Sequence, residues 1–107
     1  MAEHSIQSLL NATEDQYRVI GISTDHLSRE DRDYLESLAK DPAIGMVMGR
    51  DTGWFLKLYE DLDLNLDYPA MSPSLQAIIT CVHMAGFRMI EFDCDATSYE
   101  VWEMHEE

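Results

Sequence analysis

Two aspartates stand one residue apart in Phe92-Asp93-Cys94-Asp95-Ala96-Thr97. An apolar residue, a carboxylate, a spacer, a second carboxylate and then a hydroxyl could carry chemistry. The first aspartate would attack an electrophile, and the second would move a proton for the leaving group. Completing such a centre for phosphoryl transfer takes a cation and further acids that hold a metal. Only ten residues follow Thr97, and none of them is Lys or Arg.

The hexapeptide resembles the nucleophile motif of haloacid-dehalogenase-type phosphatases. That motif opens a large α/β domain, and here it sits almost at the end of the chain. A strand that ends in an acidic turn accounts for it better, and no enzymatic activity is expected. Asp61-Leu62-Asp63-Leu64-Asn65 has the spacing of the first calcium ligands of an EF-hand loop. Leu66 and Ser72 stand where the turn glycine and the bidentate glutamate belong, so no calcium loop is expected. His4, His26, His83 and His105 show no zinc spacing, no Gly-x-Ser-x-Gly elbow occurs and no glycine-rich phosphate loop is present. Cofactors and metals are therefore expected to be absent. Cys81 and Cys94 form no Cys-x-x-Cys pair and read as free thiols of a reducing compartment.

What remains is charge. Twenty-one Asp and Glu against seven Lys and Arg give 107 residues a net charge of −14. Free nucleic acid and anionic membranes are poor partners for such a chain, and a basic protein is a good one. The acids gather in two places. Glu60, Asp61, Asp63 and Asp67 alternate with Leu62, Leu64 and Leu66. Glu91, Asp93, Asp95, Glu100, Glu103, Glu106 and Glu107 run among Phe92, Tyr99, Val101, Trp102 and Met104. A disordered acidic tail lacks large apolar groups of that kind. Both stretches are thus expected to be pinned structure that displays one coherent anionic relief. Carboxylates held in rows can occupy a Lys/Arg-lined groove meant for phosphates, since duplex DNA carries one negative charge per roughly 1.7 Å of axis. The candidate partner-binding residues are Glu60, Asp61, Asp63, Asp67, Asp93, Asp95, Glu100, Trp102 and Glu103, with Trp102 as anchor. Glu30, Asp33 and Glu36 form a second candidate face.

The elements that must hold these residues follow from patterning. Met1–Gln16 is an N-terminal arm or short helix, and residues 17–107 form a single domain. Tyr17–Ser23 is a β-branched strand. Thr24–Lys40 is a helix with Ser28 as N-cap and Asp31 completing a capping box. Ile44–Gly49 and Trp54–Tyr59 form a hairpin around Arg50-Asp51-Thr52-Gly53. Glu60–Ala70 is an edge strand or extended loop with its leucines on one side. Ser72–Ala85 is the clearest helix: a serine cap, Pro73 in the first turn and Gly86 past the end. Phe87–Phe92 and Tyr99–His105 are further strands. The fold class is α+β, a mainly antiparallel sheet of four to five strands with two helices packed on one face. No apolar run spans a membrane, and Met1–Leu10 lacks the basic start and long apolar core of a signal peptide, which points to the cytoplasm of a bacterial host.

Several segments resemble an uncharacterised bacterial domain-of-unknown-function family carried on plasmids and prophages. They are Ser23-Thr24-Asp25-His26-Leu27, Gly53-Trp54-Phe55, Ser72-Pro73-Ser74-Leu75, and Gly86-Phe87 leading into Ile90 to Asp95. The similarity spans residues 18–103. Ala96-Thr97-Ser98 stands where members often have a glycine turn. The resemblance implies a small accessory protein of mobile DNA and brings no active site with it. Small acidic proteins of that setting are similar in class to anti-CRISPR and anti-restriction proteins that imitate DNA. The expected function is an inhibitor that blocks the DNA site of a CRISPR surveillance complex or restriction enzyme. The alternative is an antitoxin-like or regulatory module that binds through apolar contacts.

Overall fold

Ser72 and Pro73 start a helix as their order predicts. In the computed structural model, which describes residues 2–105, the Leu75 N–H donates to Ser72 Oγ at 3.1 Å. Pro73–Met84 follows as α4, numbered with the three helices before it. Ala85 caps the end, and Gly86 turns away at φ +98°, a conformation costly for any residue with a Cβ. The earlier helices are α1 (Ala2–Ala12), α2 (Arg29–Lys40) and the single turn α3 (Leu64–Asp67). The strands are β1 (Val19–Ser23), β2 (Val47–Arg50), β3 (Gly53–Lys57) and β4 (Met89–Asp93).

The sheet runs β1-β4-β3-β2. β2, β3 and β4 are antiparallel neighbours, but β1 pairs with β4 in parallel, Ile22 opposite Phe92. The sheet is therefore mixed and four-stranded. β1, α2 and β2 form a strand–helix–strand unit, which returns the chain in its first direction. β4 and β3 fill the gap this crossover leaves, so the parallel edge is a product of insertion.

One face of the sheet offers Ile22, Leu56, Ile90 and Phe92, all fully buried. Against it pack Leu35 and Leu38 of α2 and Leu75, Ile78, Ile79 and Val82 of α4. Burial of side chains this size contributes about 1.5–3 kcal/mol each, so the two stripes hold the layer together. α2 starts at Arg29 rather than Thr24. Ser23 Oγ accepts the Asp25 N–H at 3.1 Å and closes a separate 3₁₀ turn at Thr24–His26, and Ser28 then caps the true helix. Arg32 ties the two pieces together, donating to the carbonyls of Leu27 (3.2 Å) and Thr24 (2.7 Å).

Asp31 does not complete a capping box. Its carboxylate, 2% exposed, turns to the other helix. It accepts the Ser72 N–H at 2.9 Å and the Ser72 hydroxyl. The N-termini of α2 and α4 are thus linked through one buried acid, where both helix dipoles favour negative charge. α1 lies apart: its residues from Ser5 onward are exposed, and Ile6, Leu9 and Leu10 are 54%, 71% and 64% accessible.

A candidate acidic interaction surface

The stretch Glu60–Asp67 is neither a strand nor an extended loop. Leu62 is half-buried and Leu64 buried, but Leu66 is 77% exposed, so the leucines do not share one side. The deciding residue is Asp63. Its Oδ1 accepts the Leu66 N–H at 3.2 Å, an N-cap that starts α3 and breaks the period of two. The segment lies along α4. Glu60, Asp61 and Asp63 line an open cavity of about 440 Å³ with Gln76, Thr80 and His83. His83 Nε2–H donates to the Tyr59 carbonyl at 2.9 Å and holds the start of the segment on the helix. Among the described residues no ion pair joins Glu60, Asp61, Asp63 or Asp67 to a Lys or Arg.

Asp93 and Glu91 lie elsewhere, on the sheet face turned away from the helices. There the carboxylates meet a cation. Arg50 pairs with Glu91, stands 3.9 Å from Asp93 and lies over the Phe55 ring. Thr52 donates its hydroxyl to Asp93 Oδ1, and the Asp95 N–H donates to Oδ2 at 3.0 Å. The Thr52 bond above all, then the Asp95 amide and the nearby Arg50, hold the Asp93 carboxyl below the usual carboxylate range, against desolvation. The hairpin must come very close for this: a Cβ on Gly53 would stand 1.8 Å from the Phe92 carbonyl oxygen. Both Asp93 oxygens are thus engaged. Ligand atoms of Asp93, Cys94 and Asp95 lie within 4.8 Å of one another. Burial first, then Asp95 and Asp93, push the Cys94 thiol up.

The strand expected over Tyr99–His105 is not formed. Apart from a turn in which the Trp102 N–H donates to the Tyr99 carbonyl at 3.1 Å, its backbone bonds go to residues far back in the chain. The Tyr99 N–H donates to His26 Nε2 at 2.8 Å, His26 Nδ1–H donates to the Glu103 carbonyl at 2.9 Å, and the His105 N–H donates to Asp25 O at 2.7 Å. The Tyr99 hydroxyl adds a bond to Gly21 O at 3.0 Å. His26 is fully buried, and Trp102 packs edge-on to it at 5.8 Å and to Tyr99 at 5.3 Å. Trp102 is consequently half-buried at the core edge, with part of its ring spent inside the fold. Glu100 and Glu103 stay exposed beside it.

The acids expected to form one relief thus occupy different surfaces. Glu60, Asp61 and Asp63 line the cavity beside α4, Asp67 ends the turn of α3, and Asp93 lies on the sheet face turned away from the helices. Asp95 leaves from the strand end, and Glu100 and Glu103 sit on the segment that His26 holds. On α2, Glu30, Asp33 and Glu36 are exposed, but Glu36 accepts the Trp54 Nε1–H at 3.1 Å and pairs with Lys40 at 3.6 Å. His26 organises the C-terminal segment, and the sequence marks it only by its place at the end of the first strand.

No helix among the described residues is long and apolar enough to cross a membrane. No curated protein and no solved structure matches the chain. Residues 19–107 match the model described as "Family of unknown function (DUF5983) C-terminal domain", and the chain belongs to that family.

Proposed function

We propose that the chain is a binding protein that presents the carboxylates of Glu60–Asp67 to a basic nucleic-acid-binding protein and occupies the site its nucleic acid would take. The observation that carries this reading is where the cations go. Arg18 donates to the Ala85 carbonyl at 3.2 Å and lies over the Phe87 ring, Arg88 donates to the Phe87 carbonyl at 2.8 Å, and Lys57 sits over Tyr59. The fold spends these charges on carbonyls and rings, and among the described residues no Lys or Arg pairs with the Glu60–Asp67 acids. Fixed, unpaired carboxylates steer a basic partner and suppress binding to nucleic acid itself. The finer proposal is a bacterial defence complex, either a CRISPR surveillance complex or a restriction enzyme, blocked by steric and electrostatic competition without chemistry. A pull-down from bacterial lysate, repeated with excess duplex DNA, tests it. Displacement of the captured protein by DNA supports the reading, and capture indifferent to DNA refutes it.

A second reading is favoured by a different observation. The α1 stripe and the sheet face opposite the helices leave apolar groups uncovered, as an antitoxin-like or regulatory module that docks through apolar contacts requires. Salt separates the two: affinity of the acidic surface falls steeply as ionic strength rises, and apolar docking does not.

A further inference from the structure

The helix side of the sheet is sealed, but its other side is not. On that face β1, β4, β3 and β2 present Val19, Met89, Lys57 and Met48 from one end of the register. Val19 and Met48 are 51% and 45% exposed. These four residues, with Tyr59 and Arg88, line an open groove of about 950 Å³. Tyr17 and Arg18, in the stretch that leads out of α1, line it as well, as do Glu14 and Glu60.

α1 is the element without a site. Ile6, Leu9 and Leu10 follow the i, i+3, i+4 spacing of one helix face, and all three face solvent. Isolated helices of this length are marginal in water, so the stripe calls for a surface to cover it. α1 does not lie on its own groove. Gln16 Nε2–H₂ donates to the Asn11 and Thr13 carbonyls at 2.9 and 2.8 Å, which fixes the exit from the helix. The molecule is correspondingly long, 53 Å against 29 and 27 Å.

We propose that the groove takes α1 of a second copy of this chain, each helix lying across the open sheet face of its twofold partner. Three features select this occupant. Eleven residues of helix are about 16 Å long, and the four strands span about 14 Å from first to last, so the helix matches the width of the open face. α1 itself carries one acid, Glu3, and no Lys or Arg, while the groove is lined by three of the chain's seven cations, Arg18, Lys57 and Arg88, against two acids, Glu14 and Glu60. Exchange of one identical element is also self-complementary, as a closed twofold dimer demands, and it covers both exposed surfaces in one step.

Sedimentation equilibrium of the full chain tests this, at moderate salt so that repulsion between two acidic chains is screened. The wild type is expected to be a dimer. Leu9→Asp/Leu10→Asp on the helix and, separately, Met48→Asp on the sheet each raise the dissociation constant by about 100-fold or more. Lys57→Glu weakens the dimer by a smaller factor. All these side chains are exposed in the single copy, and unchanged circular dichroism establishes that the variants fold. A wild type that stays monomeric at high concentration overturns the proposal, and so does an α1 that folds back on its own sheet. A dimer lost on changing the helix but untouched by Met48→Asp and Lys57→Glu shows α1-to-α1 pairing and overturns it as well.

Discussion

Replacing Asp31 with alanine removes the acid that joins α2 to α4, and its cost can be worked from its contacts. Asp31 is 2% exposed and accepts two hydrogen bonds, from the Ser72 N–H at 2.9 Å and from the Ser72 hydroxyl. A bond to a charged group contributes about 1.5–3 kcal/mol, and a buried donor left without a partner costs about 1–3 kcal/mol. The lost favourable charge at two helix N-termini adds about 0.3–1 kcal/mol. These terms overlap, and a net loss of about 3–4 kcal/mol is expected. For a domain of this size each kcal/mol moves the melting midpoint by about 4–8 °C, so the drop is about 12 °C or more. Asp31→Asn keeps the bond to the Ser72 N–H, and the hydroxyl can rotate to accept from the new amide, so its cost is about 1 kcal/mol. Ser72 also receives the Leu75 N–H at 3.1 Å as the cap of α4. A double-mutant cycle of Asp31→Ala with Ser72→Ala, read by urea unfolding, is expected to show coupling of about 1–2 kcal/mol. Asp31→Ala within about 1 kcal/mol of wild type, or additive losses, refutes the link between the two caps.

Acidity gives a second expectation. Because the folded Asp93 pKa is lowered, its contribution to stability is full above the ordinary carboxylate range and is lost as pH falls through the lowered value. Thr52→Val removes the main cause, so melting followed against pH shows that loss at higher pH than in wild type; coincident curves contradict it. The Cys94 thiol, pushed up by burial and its two aspartates, is expected to react with iodoacetamide more slowly at neutral pH than a free thiol. Asp93→Asn/Asp95→Asn speeds that reaction, and an unchanged rate rules the cause out. His26→Phe keeps a ring beside Trp102 but strands the Tyr99 N–H and the Glu103 carbonyl. It is expected to cost about 2 kcal/mol and to speed amide exchange at Tyr99; native protection there contradicts the role of His26 as the latch of residues 99–105.

Local rules were readable where the deciding partner lies a few residues away. Ser28 and Ser72 cap helices because their hydroxyls reach N–H groups three residues on. The hairpin around Asp51 follows from alternation on both sides of it. Elsewhere the partner is distant. Tyr99 to His105 has the composition of a strand, but His26, 73 residues from Tyr99, takes its amide. Asp31 reads as half of a capping box until Ser72, 41 residues on, offers two donors. Leu62, Leu64 and Leu66 alternate as in a strand, and only the cap at Asp63 turns Leu64 and Leu66 into a helical turn. The parallel edge depends on which gap β4 enters, and patterning does not encode that. The acidic character was plain in composition, but its division between two sides of the sheet follows from topology alone.

The central claim is that unpaired carboxylates along α4 engage a basic partner. Its most direct test is a salt titration of the affinity for the captured partner, comparing wild type with Glu60→Lys/Asp61→Lys/Asp67→Lys, which spares the cap at Asp63. Binding of the wild type is expected to weaken steeply with salt, and the triple reversal to weaken it by about 10-fold or more at low salt with the melting midpoint unchanged. Equal affinity of the two proteins, with a flat response to salt, contradicts the account.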